Sequence, residues 1–124
     1  MGFFSNLFSK EGQKSRAIAK WQNKLMAKYQ QTDERKRAIL ALTDIGTTEA
    51  ITALLKRYQY RTEQTIVDED EKEMVYTCCV ELGPQAVPGL IHYINRETGI
   101  YWPVKALREI VGDDTAVKYL LEAL

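Results

Sequence analysis

Between Glu34 and Arg57 the apolar residues fall into two runs of helical spacing on either side of a glycine. Ala38, Leu42 and Ile45 recur every three or four positions before Gly46, and Ile51, Leu54, Leu55 and Tyr58 do so after it. Residues three and four apart share a helix face, so this spacing predicts two short amphipathic helices hinged at Gly46. The pattern returns twice, in CCVELGPQAVPGLI around Gly83 and in ALREIVGDDTAVKYLL around Gly112. Before the hinge, Ala41, Cys78 and Ala106 correspond, as do Leu42, Cys79 and Leu107. Beyond it, Ala50-Ile51, Ala86-Val87 and Ala116-Val117 correspond, then Leu54-Leu55, Leu90-Ile91 and Leu120-Leu121. A helix pair with one apolar face cannot bury it alone, so three copies predict a stacked helical solenoid.

Two further apolar groups precede the repeats. Phe3, Phe4, Leu7 and Phe8 would share one side of a short helix. Ile18, Trp21, Leu25 and Tyr29 then form a stripe that predicts a longer helix over about Ser15 to Gln30, capping the first repeat. The expected organisation is an N-terminal segment and basic capping helix over 1–31, followed by a repeat domain over 32–124. Its repeats span about 32–59, 70–96 and 100–124. The fold class is all-α: a right-handed α-solenoid of about three helix pairs preceded by an amphipathic helix.

Turn chemistry places the joints. Thr32 or Asp33 is the expected N-cap of the first repeat, and Thr47 or Thr48 that of its second helix. Gly46 suits a left-handed C-cap, and Pro84 and Pro103 suit first turns of helices, where a missing N–H costs little. From Gln59 to Asp70 the periodicity lapses through Thr65, Ile66 and Val67 and reads as the longest loop. The acidic run Asp68 to Glu71 lacks the alternating ligand spacing of a calcium loop. Asp70 as N-cap with Glu73 at N3 is its expected role.

Composition narrows the class. With 45% hydrophobic and 27% charged residues the chain is an ordinary globular one. No apolar run approaches the roughly 20 residues a membrane-spanning helix needs. The first ten residues lack the basic start and long apolar centre of a secretory leader. Cys78 and Cys79 are adjacent, so their side chains point about 100° apart on a helix and cannot pair. They also lack zinc spacing. They read as small core residues, and free thiols favour a reducing, cytoplasmic home. The formal net charge is zero, yet residues 1–37 hold nine Lys/Arg against three Asp/Glu, and the remainder holds eight against fourteen.

The Leu/Ile-Gly hinge, the Ala-Val/Ile pair and the Leu-Leu/Ile pair beyond it resemble HEAT-like repeats. LGPQAVPGLI is similar to the phycobilisome-lyase HEAT-like subset. The resemblance covers about residues 34–124 and rests on hinge and core positions, so it implies an α-solenoid. Members of that group include scaffolds, adaptors, bilin-attachment proteins and nucleic-acid repair enzymes, and the fold does not choose among them. No catalytic motif of the group is matched, so no active-site residue and no cofactor carries over. The 59–70 insertion, the paired cysteines and the first segment depart from the pattern.

Candidate chemistry is sparse. His92 is the single histidine, with no cysteine at ligand spacing, so neither a metal site nor a catalytic triad is expected. It falls on the polar side of its helix. Second helices of stacked pairs line the concave surface, which would carry Lys56, His92 and Arg96, bordered by Tyr60 and Trp102. Large side chains with polar tips dominate protein–protein hot spots. The expected function is therefore a non-enzymatic, cytoplasmic interaction scaffold or adaptor with a protein partner. The alternatives are a nucleic-acid binder using Lys14, Lys20, Lys24, Lys28, Arg35, Lys36 and Arg37, or a bilin-lyase-like protein. A pI near 6.6 and an acidic body weigh against nucleic acid. Phe3, Phe4, Leu7 and Phe8 have two readings, a plug over the first repeat or an anchor for a partner or a membrane surface. Leu120, Leu121 and Leu124 have no polar helix behind them, so that edge is expected to be covered, either by further repeats of a longer native chain or by self-association.

Overall fold

The computed structural model describes the backbone of residues 2–29 and 31–122, and the side chains of residues 12–29 and 31–122. Seven α-helices follow one another among these residues: α1 Gly2–Leu25, α2 Thr32–Ile45, α3 Thr48–Leu55, α4 Thr65–Leu82, α5 Val87–Arg96, α6 Tyr101–Val111 and α7 Asp113–Glu122. Short 3-10 turns extend α3 through Lys56–Gln59 and join α4 to α5 through Gly83–Ala86. No strand occurs among the described residues. The first helices of successive pairs pack side by side, α2 on α4 and α4 on α6. The second helices α3 and α5 form an adjoining layer, and α1 lies against both α2 and α3.

The hinges follow from local chemistry. Gly46 takes φ 66°, and its N–H donates to the Leu42 carbonyl, closing α2 with a left-handed cap. Its own carbonyl accepts from Gln85 Nε2 at 2.7 Å, which ties the first hinge to the second repeat. Thr47 caps α3 as expected, its hydroxyl accepting from the Ala50 N–H. The core runs through every layer: Leu25, Ile39, Leu42, Ile51, Leu54, Leu55, Val75, Cys79, Leu90 and Leu107 are all fully buried.

Where α3 meets α5, glycine is required. A Cβ on Gly89 would lie 2.6 Å from Ile51 Cγ2 and 2.8 Å from Ile51 Cβ. Both contacts are with the branched root of a fully buried side chain, which cannot swing aside. Overpacking of this kind costs about 1–3 kcal/mol, against the roughly 1 kcal/mol alanine gains over glycine inside a helix. Gly89→Ala is therefore expected to lower stability by about 1 kcal/mol. In a double-mutant cycle Ile51→Ala should remove that penalty; strictly additive losses would show that the two residues do not touch.

Three expectations need correction. The capping helix is a single α1 that ends at Leu25, and Tyr29 lies beyond it, 87% exposed. The Leu25 carbonyl accepts from the Tyr60 hydroxyl instead of from a further helical turn. Gln31, in extended conformation, is the N-cap of α2, while Thr32 Oγ1 donates to Glu71 Oε2 at 2.7 Å. The largest correction is α4, which starts at Thr65 and absorbs the second half of the expected 59–70 loop. Asp70 does not cap it, being exposed in its second turn.

The interior explains α4. Asp68 and Glu71 are 1% and 0% exposed, on the same stripe as Val75 and Cys78. Arg35 of α2 grips Glu71 with both arms, Nε to Oε1 at 2.7 Å and Nη2 to Oε2 at 2.9 Å. Arg57 donates Nε to the same Oε1 at 3.0 Å and Nη2 to Asp68 Oδ1 at 2.8 Å. Lys72 Nζ sits 2.8 Å from Asp68 Oδ2, and the Thr62 N–H donates to Asp68 Oδ1. Three cations and two carboxylates thus join α2, α4 and the end of α3 where an apolar stripe would otherwise continue.

Candidate functional site

On the α3–α5 layer a groove of about 420 Å³ opens between Gln22 of α1, Thr48, Glu49, Thr52 and Lys56 along α3, and His92 of α5. The apolar sides of α3 and α5 face the core, and these polar positions are what remains for the surface. His92 is exposed and Lys56 partly so. The structure therefore brings Lys56 and His92 together. Arg96, exposed in the last turn of α5, does not line this groove.

Tyr60 and Trp102 lie elsewhere. Tyr60 is half-buried: its ring lies 4.3 Å from the Arg57 guanidinium, and its hydroxyl donates to Leu25. It holds α1 to the ionic network. Burial pushes its hydroxyl above the ordinary tyrosine range, partly opposed by the charges of Arg57 and Arg35. Trp102, also half-buried, belongs to the α4–α6 layer, where it stacks on Tyr58 at 6.2 Å and 6°. Tyr76 leans on it at 5.9 Å and Tyr101 meets it edge-on at 5.7 Å. Lys105 Nζ lies above both Tyr76 and Trp102. Tyr76 and Lys105 were not singled out by the sequence, although Tyr76 shares a helix face with Glu69 and Glu73.

The basic set divides as well. Arg35 is buried on Glu71, Lys24 Nζ lies 3.4 Å from Glu34, and Arg37 lies 3.6 Å from the same carboxylate. Lys20 and Lys24 also cover the Trp21 ring at 5.0 and 5.1 Å. Lys14 and Lys28 are exposed. The side chains of Phe3, Phe4, Leu7 and Phe8, and all of Leu124, lie outside the described residues. On α7, Leu120 is half-buried, while Val117 and Leu121 are 52% and 62% exposed. Their counterparts Ile51 and Leu55 are fully buried.

A second opening, of about 500 Å³, lies over the ionic network between Lys28, Tyr29 and Gln31 on one side and Thr62, Gln64 and Val67 on the other. Among the described residues no group of three or more His, Cys, Asp or Glu side chains is placed to hold a metal ion. No described helix is long and apolar enough to cross a membrane.

No curated protein and no solved structure matches the chain. One family does: residues 34–60 match the PBS lyase HEAT-like repeat. That span runs from the first turn of α2 through the Gly46 hinge and α3 to Tyr60, nearly the whole of one helix pair with its buried face. The described residues form helices and the turns between them, and over residues 34–60 the chain is similar to a PBS lyase HEAT-like repeat.

Proposed function

We propose that this chain is a non-enzymatic, cytoplasmic interaction scaffold, a short right-handed α-solenoid that receives a protein partner along its second helices. One observation carries the reading: the groove over α3 and α5 presents Lys56, His92, Thr52 and Gln22 from three helices. Their hydrogen-bonding and charged tips serve no part of the core. Partial commitment of the basic residues of α1 and α2, Lys24 to Glu34, Arg35 to Glu71 and Lys20 to Trp21, leaves less cationic surface for a phosphate backbone, which favours protein over nucleic acid.

The test is affinity capture from a cell extract with the wild-type chain and with Lys56→Glu/His92→Ala, both positions being at the surface. Loss of a hot-spot side chain costs about 2 kcal/mol, so the captured set should fall at least ten-fold at unchanged melting temperature. Equal capture by both proteins places the interface elsewhere.

A further inference from the structure

We infer that the α4–α6 face is a second docking surface, which takes an arginine side chain from a basic segment of a partner protein into the place now filled by Lys105. The rings make the site. Tyr76 and Trp102 meet at 59° with centroids 5.9 Å apart, an open angle whose ring faces both attract cations. Lys105 Nζ sits in that angle, 4.9 Å from the Tyr76 centroid and 5.0 Å from that of Trp102. The chain's own ammonium thus marks the position and the charge of what the rings accept.

The seat is firm and its occupant is loosely held. Tyr58 backs Trp102 in a parallel stack, and the Tyr58 hydroxyl donates to the Lys72 carbonyl at 2.9 Å. Tyr101, 69% exposed, extends the aromatic surface outward. Lys105, by contrast, is exposed and forms no ion pair among the described residues, so only the rings hold it. A guanidinium covers an indole face better than an ammonium and is more weakly hydrated, so it displaces Lys105 at small cost.

Charge selects the partner. Glu69, Glu73 and Tyr76 follow at i, i+4 and i+7 on one face of α4, and Glu69, Asp70 and Glu73 are exposed. None of the three is ion-paired among the described residues. A row of carboxylates beside a cation-accepting aromatic angle attracts a basic segment and repels nucleic acid or anionic lipid. This surface lies on the layer opposite the α3–α5 groove and does not depend on it.

The experiment titrates a tri-arginine peptide into the chain with Trp21→Phe, which leaves Trp102 as the only indole, and follows its fluorescence. Lys105→Gln should tighten binding about three-fold, the worth of one exposed cation–π contact. Lys118→Gln, which removes the same charge at an exposed position of α7, should change nothing. Tyr76→Leu, neutral in charge, should weaken binding about three-fold, and Tyr76→Phe should restore it. Equal tightening by Lys105→Gln and Lys118→Gln would reduce the effect to net charge and overturn the assignment. So would weaker binding on Lys105→Gln, or indifference to Tyr76→Leu in a protein that still melts cooperatively. If Tyr76→Leu fails to fold, the Lys105/Lys118 pair, both exposed, decides the matter alone.

Discussion

Glu71→Ala is expected to cost about 3–5 kcal/mol of folding stability, because it leaves two buried guanidinium groups without the carboxylate they share. Arg35 is 3% and Arg57 0% exposed, so water compensates poorly for the lost partner. Both arginines donate to Glu71, which also accepts from Thr32, and Arg57 is left with Asp68 alone among the carboxylates. Urea denaturation checks this directly, and a loss under about 1 kcal/mol would show that the network is not formed as drawn. Replacing the two arginines together with Glu71, as Arg35→Met, Arg57→Met and Glu71→Leu, should recover much of the loss, since Asp68 keeps Lys72 and the Thr62 N–H and no charge is then buried unpaired.

The same network sets an acid limit. Burial by itself pushes the Glu71 carboxyl up, but hydrogen bonds from Arg35, Thr32 and Arg57, with the Arg57 charge, outweigh it and hold it below the ordinary range. Asp68 is likewise pushed up by burial and held down overall by Lys72, Arg57 and the Thr62 N–H. With the folded values lowered, the unfolded chain binds more protons as pH falls. The stabilisation is complete above the unfolded carboxylate values of about 4 and is lost as pH drops through the lowered folded ones. The melting temperature should therefore be level near neutrality and fall steeply in acid, and Glu71→Gln should flatten that fall.

Cys79→Asp is the second large effect, expected to cost about 4 kcal/mol or more. Cys79 is fully buried in the core, and burial pushes its thiol up to about 12, with the neighbouring Cys78 adding to the shift. An environment that disfavours a thiolate disfavours a carboxylate too, and because a free Asp ionises near 4, holding it neutral at pH 7 is itself costly. Even held neutral, the acid loses its hydration with no partner, at about 2–7 kcal/mol. Cys79→Ala is the size control and should cost less than half as much. The wild-type thiols should label slowly in native buffer and fast in denaturant, Cys78 being 7% exposed and Cys79 0%. Rapid native labelling of both would remove the basis for the prediction.

The repeat, its hinges and most of its core were legible because they depend on short-range rules. A 3.6-residue period buries one face, and a glycine after it ends the helix, so Leu42, Gly46, Ile51 and Leu54 could be placed without knowing their neighbours. What decided the rest acts between segments far apart in the chain. Asp68 and Glu71 continue the buried stripe of Val75 and Cys78, but carboxylates at core positions look like a solvated loop until Arg35 and Arg57 are known to meet them. Arg35 looked like part of a basic surface for the same reason. Tyr29 kept the helical spacing and still fell outside the helix, because Tyr60 supplies the hydrogen bond that ends it. Trp102 and His92 both read as bordering one surface, and packing sent them to opposite layers. Periodicity fixes which face of a helix is buried, whereas charge pairing and the second layer of helices decide which polar residues are left to bind anything.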